Sequence, residues 1–115
     1  MADLVVDGTN LVLRLSRIEK VGALHGDVRV PLSAVSGVRA TATPYEELRG
    51  LIRCPGTGWP RLIALGTYRW PGTKAFAAVY RDKPGVVVDL TGVHFQRLVV
   101  STADADDVVG RLMAV

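Results

Sequence analysis

Apolar and polar positions alternate with a period of two along most of this chain, a pattern typical of strands that bury one face. Such runs lie at residues 4–6, 11–15, 27–32, 38–43, 62–68, 74–80, 86–90 and 95–100, and they predict about seven to eight strands. The connections between the last four runs are short, so we expect consecutive strands there to pair antiparallel. The body of the chain is therefore predicted to be mainly β.

Turn residues between the runs refine this prediction. Asp7-Gly8-Thr9-Asn10 lies between two apolar runs and predicts a tight hairpin, because glycine accepts the positive φ of such turns. Pro31 cannot donate a ladder hydrogen bond, so its strand lies at a sheet edge or ends there. Segment 51–60 is dense in proline and glycine and is predicted to be an ordered surface loop.

Two segments depart from the strand period. Ser16 and Glu19 have the spacing of a capping box and predict a short helix near residues 17–24, with a third strand as the alternative. Near the C-terminus one helical face carries the apolar residues Ala105, Val108, Val109 and Leu112. An apolar stripe on a helix needs a partner, so we expect this helix to pack on a curved sheet.

The order of strands followed by one amphipathic helix resembles the pleckstrin-homology-like fold. It is also similar to small bacterial, mostly actinobacterial, proteins of uncharacterised function with that fold. The matching stretches are residues 27–32, 49–58, 63–67 and 97–101. The resemblance implies an α+β protein: a bent antiparallel barrel with a C-terminal capping helix, serving as a binding scaffold. Family members that bind phosphoinositides carry several Lys and Arg in the first hairpin loop, whereas this loop is short and acidic.

Length and composition agree with one compact domain spanning residues 1–115. The chain has 115 residues, of which 49% are hydrophobic and 22% charged. A chain of this length and composition can form one hydrophobic core without disulfides or bound metal. A single cysteine excludes an internal disulfide. No signal peptide or run of about 20 apolar residues is visible, so we expect a cytoplasmic protein without a transmembrane segment.

Residues suited to catalysis or metal binding are sparse. Two histidines without metal-ligand spacing and one cysteine predict neither a metal site nor a cofactor. Cys54 follows Arg53, which favours a thiolate, but no base is suggested nearby, so we interpret the thiol as inert. His94 is interpreted as a structural or surface residue, and Asp89 as a strand residue paired with a neighbouring cation. We therefore expect no catalytic residues and no enzyme.

Charge is distributed unevenly along the chain. Residues 49–83 contain seven basic residues and one acidic residue, although the net charge of the whole chain is only +3. Cations and aromatic residues mix in this region, and the candidate binding surface consists of Arg53, Trp59, Arg61, Arg69, Trp70 and Lys74. Arginine and aromatic residues are common anchors of protein interfaces. The alternative is that Trp59 and Tyr68 belong to the core and the cations are scattered over the surface.

These observations predict a non-enzymatic interaction domain that binds a protein partner or associates with itself through an uncovered strand edge. One alternative is peripheral binding to anionic lipid through the basic–aromatic surface. Another is a cleft for a small ligand or a reaction near the 51–60 loop. The same residue mixture suits single-stranded nucleic acid, but we do not expect a nucleic-acid partner.

Overall fold

Two sheets and two helices make up the fold. The computed structural model describes residues 2–23, 26–48, 52–59, 63–70, 72–80 and 83–113, with the backbone alone described at 22–23, 45, 52–59, 63 and 70. The elements are β1 (Asp3–Asp7), β2 (Asn10–Arg14), α1 (Arg17–Ala23), β3 (Val28–Pro31), β4 (Val35–Thr41), β5 (Ile52–Trp59), β6 (Ile63–Trp70), β7 (Thr73–Tyr80), β8 (Gly85–Leu90), β9 (Arg97–Ser101) and α2 (Ala105–Met113). Short 3₁₀ turns lie at Leu32–Ala34 and Pro44–Leu48. The mainly β body and the C-terminal helix are confirmed.

The three-stranded sheet has the order β1-β2-β3 and is antiparallel throughout. Gly8 has a φ of 63° in the β1–β2 turn, as the predicted hairpin requires. Pro31 ends β3, which is an edge strand, so the missing N–H costs no ladder bond. Both predictions for this region are confirmed.

The six-stranded sheet has the order β4-β8-β9-β7-β6-β5, and its topology differs from the prediction. β9 lies between β7 and β8, antiparallel to β8 but parallel to β7, so the predicted antiparallel pairing of β7 with β8 is wrong. Leu98, Val99 and Val100 of β9 are all fully buried, and a strand that is apolar on both faces is stabilised most at the centre of a sheet. In the described part of the chain neither sheet closes into a barrel.

β5 occupies most of the segment predicted to be a loop, and that prediction is wrong. Its pairing with β6 is interrupted between Arg53 and Gly56 by a register irregularity. Such an irregularity accommodates Pro55, which has no N–H for the ladder, within a strand at the edge of the sheet. Segment 51–60 therefore contains a strand despite its many proline and glycine residues.

The main core lies between the two sheets and beneath α2. It includes Leu11 and Leu13 of β2, Phe76 of β7, and Ala105 and Val108 of α2. The apolar stripe predicted for the C-terminal helix is thus buried as expected. A smaller apolar cluster lies on the other face of the six-stranded sheet. There Leu48 of a 3₁₀ turn packs with six residues of the sheet: Ala64, Tyr68, Ala77, Val79, Val87 and Val99.

α1 confirms the predicted capping box and short helix, and the alternative of a third strand at this point is wrong. The Ser16 N–H donates to Glu19 Oε1 over 2.9 Å, and the Glu19 N–H donates to Ser16 Oγ over 3.2 Å. The helix buries its glutamate and exposes its apolar residues, since Glu19 is 2% exposed whereas Ile18 is 84% and Val21 73% exposed. Residue 24 of the predicted helix lies outside the described residues.

Candidate functional site

The β6–β7 hairpin forms one wall of the candidate site. Arg69 near the end of β6 lies directly opposite Lys74 near the start of β7 in the strand register. Gly72 has a φ of 81° in the connecting turn, a conformation that glycine adopts without strain. Two like charges on directly opposed residues repel each other and weaken the pairing of their strands. The two basic residues are thus neighbours through the fold, five positions apart in sequence.

The β8–β9 loop forms the second wall, because β9 lies beside β7. The Gln96 backbone N–H donates to the Lys74 carbonyl over 2.8 Å. In return, the Lys74 backbone N–H donates to Gln96 Oε1 over 2.7 Å. These two hydrogen bonds fix the loop against the beginning of β7 and bring His94 next to the lysine side chain.

The Lys74 side chain is held by this loop. Its Nζ contacts His94 Nε2, and the same nitrogen lies 5.4 Å from the centroid of the Phe95 ring. Phe95 is buried and packs edge-on against Phe76, with ring centroids 5.6 Å apart. Loss of hydration, and then the charge of Arg69, lower the pKa of the Lys74 amine below its ordinary value. The amine therefore releases its proton more readily than a freely hydrated lysine.

An open cleft of about 410 Å³ lies between these walls, lined by Arg69, Gly72, Thr73, Lys74, His94 and Gln96. We call it the basic cleft. None of these described lining residues is acidic, and they offer guanidinium, ammonium, imidazole and hydroxyl groups to one space. Such groups donate hydrogen bonds to oxyanions, most strongly where both partners are charged. The cleft is therefore suited to an anionic group.

The predicted binding surface is only partly described. Arg69 and Lys74 lie together in the basic cleft. The backbones of Arg53, Trp59 and Trp70 are in β5 and β6, but their side chains lie outside the description, and so does all of Arg61. The sequence analysis missed His94 and Gln96 as members of the site. A polar pair flanking buried Phe95 was the available signal, but only the position of β9 beside β7 gives it meaning.

A second charged cluster on the six-stranded sheet is electrically balanced. Arg97 Nε donates to Asp89 Oδ1 over 2.9 Å, as predicted for Asp89. Glu47 contacts Arg39 and lies 3.8 Å from Arg97 Nη1. The hydrogen bond from Arg39 lowers the pKa of the Glu47 carboxyl. Two cations and two carboxylates satisfy one another here, so this cluster is structural.

The polar groups at the far end of β7 are also satisfied internally. The Tyr80 hydroxyl donates to Glu19 Oε2 over 2.7 Å, and the Tyr80 N–H donates to Ser101 Oγ over 2.8 Å. Burial, and then the contact with Glu19, raise the pKa of the Tyr80 phenol. We refer to Glu19, Tyr80 and Ser101 as the sealed network.

An apolar groove of about 350 Å³ lies between β1 and α2, lined by Leu4, Val5, Val6, Val108, Arg111 and Leu112. β1 is an edge strand, which is the kind of edge predicted for self-association. Asp3 and Asp7 are exposed at its two ends. In an antiparallel pair of β1 strands centred on Val5, each aspartate would face an aspartate of the second copy. Such charges are a known protection of edge strands against pairing.

Two negative findings hold for the described residues. Over that part of the chain, no three His, Cys, Asp or Glu residues are grouped as metal ligands would be. No helix within it has the length and apolar character needed to cross a bilayer. Neither family models, nor curated proteins, nor solved structures gave a match to this chain.

Proposed function

We propose that this protein is a non-enzymatic interaction module that binds a protein partner by holding an anionic group of that partner in the basic cleft. The observation that carries the proposal is the convergence of Arg69, Lys74 and His94 on one open space. Three nitrogen-bearing side chains meet there, two from the β6–β7 hairpin and one from the β8–β9 loop. A carboxylate or another oxyanion can accept hydrogen bonds from Arg69 and Lys74 at once.

The energetics of the two opposed cations support this proposal. Directly opposed like charges cost a sheet roughly 0.2–1 kcal/mol. An anion bound between Arg69 and Lys74 converts that repulsion into two attractive contacts. The polar lining also differs from the mostly apolar pockets that enclose small molecules, so an exposed group on a larger partner fits better.

The scaffold and the location belong to the same proposal. A pleckstrin-homology-like relationship is supported by the mainly β body and by α2, whereas the parallel pairing of β7 with β9 departs from an antiparallel barrel. A cytoplasmic location is supported by the single cysteine, since disulfides are typical of oxidising compartments. Self-association through β1 is the weaker alternative, because the exposed Asp3 and Asp7 would repel the same residues of a second copy at that edge.

The test compares two variants of equal net charge. Arg69→Gln/Lys74→Gln removes the guanidinium and the amine from the cleft, and Arg17→Gln/Lys83→Gln removes two exposed cations elsewhere. The probe is a fluorescent peptide of six glutamates, with a second peptide carrying phosphoserine at one central position, measured by anisotropy at low and high salt. We expect the wild type to bind at least one peptide at low salt and release it at high salt.

We expect the cleft variant to lose about tenfold or more in affinity, as charged hydrogen bonds are lost. The control variant should stay within about twofold of the wild type. Equal losses in both variants would mean that net charge alone attracts the peptides, which overturns the proposal. Retention on phosphatidylglycerol vesicles with no peptide binding would replace the protein partner with a lipid surface.

A further inference from the structure

The nitrogen of Lys74 has surroundings that differ from those of the other lysines in the chain. The chain contains three lysines, Lys20, Lys74 and Lys83. Lys20 Nζ lies 3.7 Å from the carboxylate of Asp27, and Lys83 is exposed. Lys74 Nζ instead contacts His94 Nε2, stands above the Phe95 ring, and faces Arg69 across the strand register. The Lys74 amine thus has an imidazole and an aromatic ring beside it, whereas Lys20 has a carboxylate.

This geometry points to a modification site. We propose that Lys74 is an acyl-acceptor residue: its amine takes an acyl group from a small acyl phosphate held in the basic cleft, and His94 accepts the proton that the amine releases. The inference does not depend on the proposed partner, because it concerns a covalent reaction of the free protein rather than an equilibrium with a docked group.

The chemical step balances with groups that the cleft provides. The Lys74 nitrogen attacks the acyl carbon, and a new C–N bond forms. The C–O bond to phosphate breaks, and phosphate leaves with the bonding electron pair. The proton from Nζ moves to His94 Nε2 and then to water. The products are an amide on Lys74 and free phosphate, and no oxidant or reductant is needed.

Each neighbour of the lysine has a part in this step. Only the unprotonated amine is nucleophilic, and the reduced hydration of Lys74 together with the charge of Arg69 favours that form. In the tautomer that carries the ring proton on Nδ1, Nε2 of His94 accepts from Nζ and is the atom to which the released proton passes. Arg69, on the same wall of the cleft, is placed to hold the leaving phosphate.

Acylation also changes the cleft. An amide carries no charge, so the modified protein loses the cation that Lys74 supplies to the cleft. An anion paired directly with Nζ favours the ammonium form of Lys74, which is not nucleophilic. Anion binding and acylation therefore compete for the same nitrogen.

The three lysines permit an internal competition experiment. The whole folded protein is treated with acetyl phosphate at limited conversion, and the acetylation rate of each lysine is measured by peptide mass spectrometry. We expect Lys74 to react at least about fivefold faster than Lys83, a conservative fraction of what a positioned base contributes. Equal rates at Lys74 and Lys83 would overturn the proposal.

His94→Gln tests the proton acceptor, since an amide oxygen can still accept a hydrogen bond but cannot take the proton. The rate at Lys74 should fall to within about twofold of the rate at Lys83, which itself should not change. An unchanged Lys74 rate in this variant would overturn the role of His94. His94 is exposed, so the variant should fold, and an unaltered thermal transition verifies this.

A second acyl donor tests the class of substrate. The acetyl ester of N-hydroxysuccinimide carries the same acyl group without a phosphate. The ratio of the Lys74 rate to the Lys83 rate should be higher with acetyl phosphate than with this ester, because only the phosphate is held by Arg69. An equal ratio with both donors would exclude acyl phosphates as the preferred substrates.

Discussion

The two ends of β7 differ in how their polar groups are satisfied. At the far end, Tyr80 donates to the buried carboxylate of Glu19, and Ser101 bonds to the Tyr80 backbone. At the near end, Lys74 lies opposite Arg69 and beside His94, in a cleft open to solvent. At the far end the donors face acceptors of the same fold, whereas at the near end basic side chains line a cleft that solvent can enter. One strand thus carries an end that contributes to stability and an end that we propose binds a ligand.

The largest loss of folding stability is expected from a substitution in the sealed network. Glu19→Ala removes the acceptor of both the Ser16 N–H and the Tyr80 hydroxyl, and it leaves a cavity under α1. We expect the free energy of unfolding to fall by about 3 kcal/mol, the cost of a lost cap, of a partly buried hydroxyl left without its acceptor, and of the cavity. Urea unfolding measures this change. Lys74→Ala at the other end is the matched comparison and should change the free energy of unfolding far less than Glu19→Ala does.

Equal losses in these two variants would erase the proposed difference between the ends of β7. Glu19→Gln refines the result, because its amide oxygen still accepts from Ser16. It should recover part of the loss seen with Glu19→Ala. If it recovers none, the charge of Glu19 rather than its hydrogen bonds holds α1 in place.

A smaller loss is expected from crowding near the sealed end. Gly85 pairs with Ser101, and a Cβ added there would lie 2.4 Å from the Val100 carbonyl oxygen and 3.0 Å from Pro44 Cβ. We expect Gly85→Ala to destabilise the fold by about 2 kcal/mol, since the backbone itself must move. Thermal unfolding followed by circular dichroism measures the loss.

Gly110→Ala is the control for Gly85→Ala. Gly110 lies in α2, and nothing lies within 4 Å of the position of its Cβ. Alanine there should stabilise the protein by roughly 0.5–1 kcal/mol, because alanine favours a helix more than glycine does. If Gly85→Ala were as well tolerated as Gly110→Ala, the close packing of β8 against β9 at this end would be disproved.

Alkaline pH should weaken the sealed end selectively. The folded protein raises the pKa of Tyr80 above its ordinary value of 10.0, because burial and Glu19 oppose the phenolate. The stabilisation is therefore complete below pH 10 and is lost as the pH rises above it, where the unfolded chain ionises first. Tyr80→Phe should be less stable than the wild type at pH 8, and the difference should shrink by pH 11. Urea titrations at pH 8 and pH 11 measure the difference in the free energy of unfolding between the two proteins. A difference that is the same at both pH values would contradict this account.

The local parts of this fold could be predicted from the sequence, whereas the pairing of distant strands could not. The β1–β2 hairpin and the Ser16–Glu19 capping box depend on neighbours within a few residues. The period of two gives the buried face of a strand but not the strand beside it, so the insertion of β9 between β7 and β8 was missed. The capping box gave Glu19 its role toward Ser16 but not its role as acceptor for Tyr80, which lies 61 positions away.

Because of the same error in strand order, the sequence analysis missed the wall of the candidate site that the β8–β9 loop forms. Lys74 and Arg69 were predicted to contribute, since both lie in the basic region. His94 is 20 positions beyond Lys74 and reaches it only because β9 runs beside β7. Had β8 been the neighbour of β7, as predicted, the β8–β9 loop would not have been placed beside Lys74. Strand order thus decided which residues could share a cleft.

The smallest expected effect concerns the repulsion between Arg69 and Lys74 in the basic cleft. Lys74→Gln removes one of the two opposed charges and keeps a long polar side chain, so it should raise the midpoint of thermal unfolding slightly at low salt. The lowered pKa of Lys74 has the same origin in part, since reduced hydration and Arg69 both disfavour its charged form. Salt screens exposed charges, so the gain should disappear at about 1 M sodium chloride. Lys83→Gln, which lies away from the basic cleft, should show no such gain. If both variants respond alike, the opposed charges of Arg69 and Lys74 do not affect stability. The basic cleft would then be no better suited to an anion than the rest of the surface.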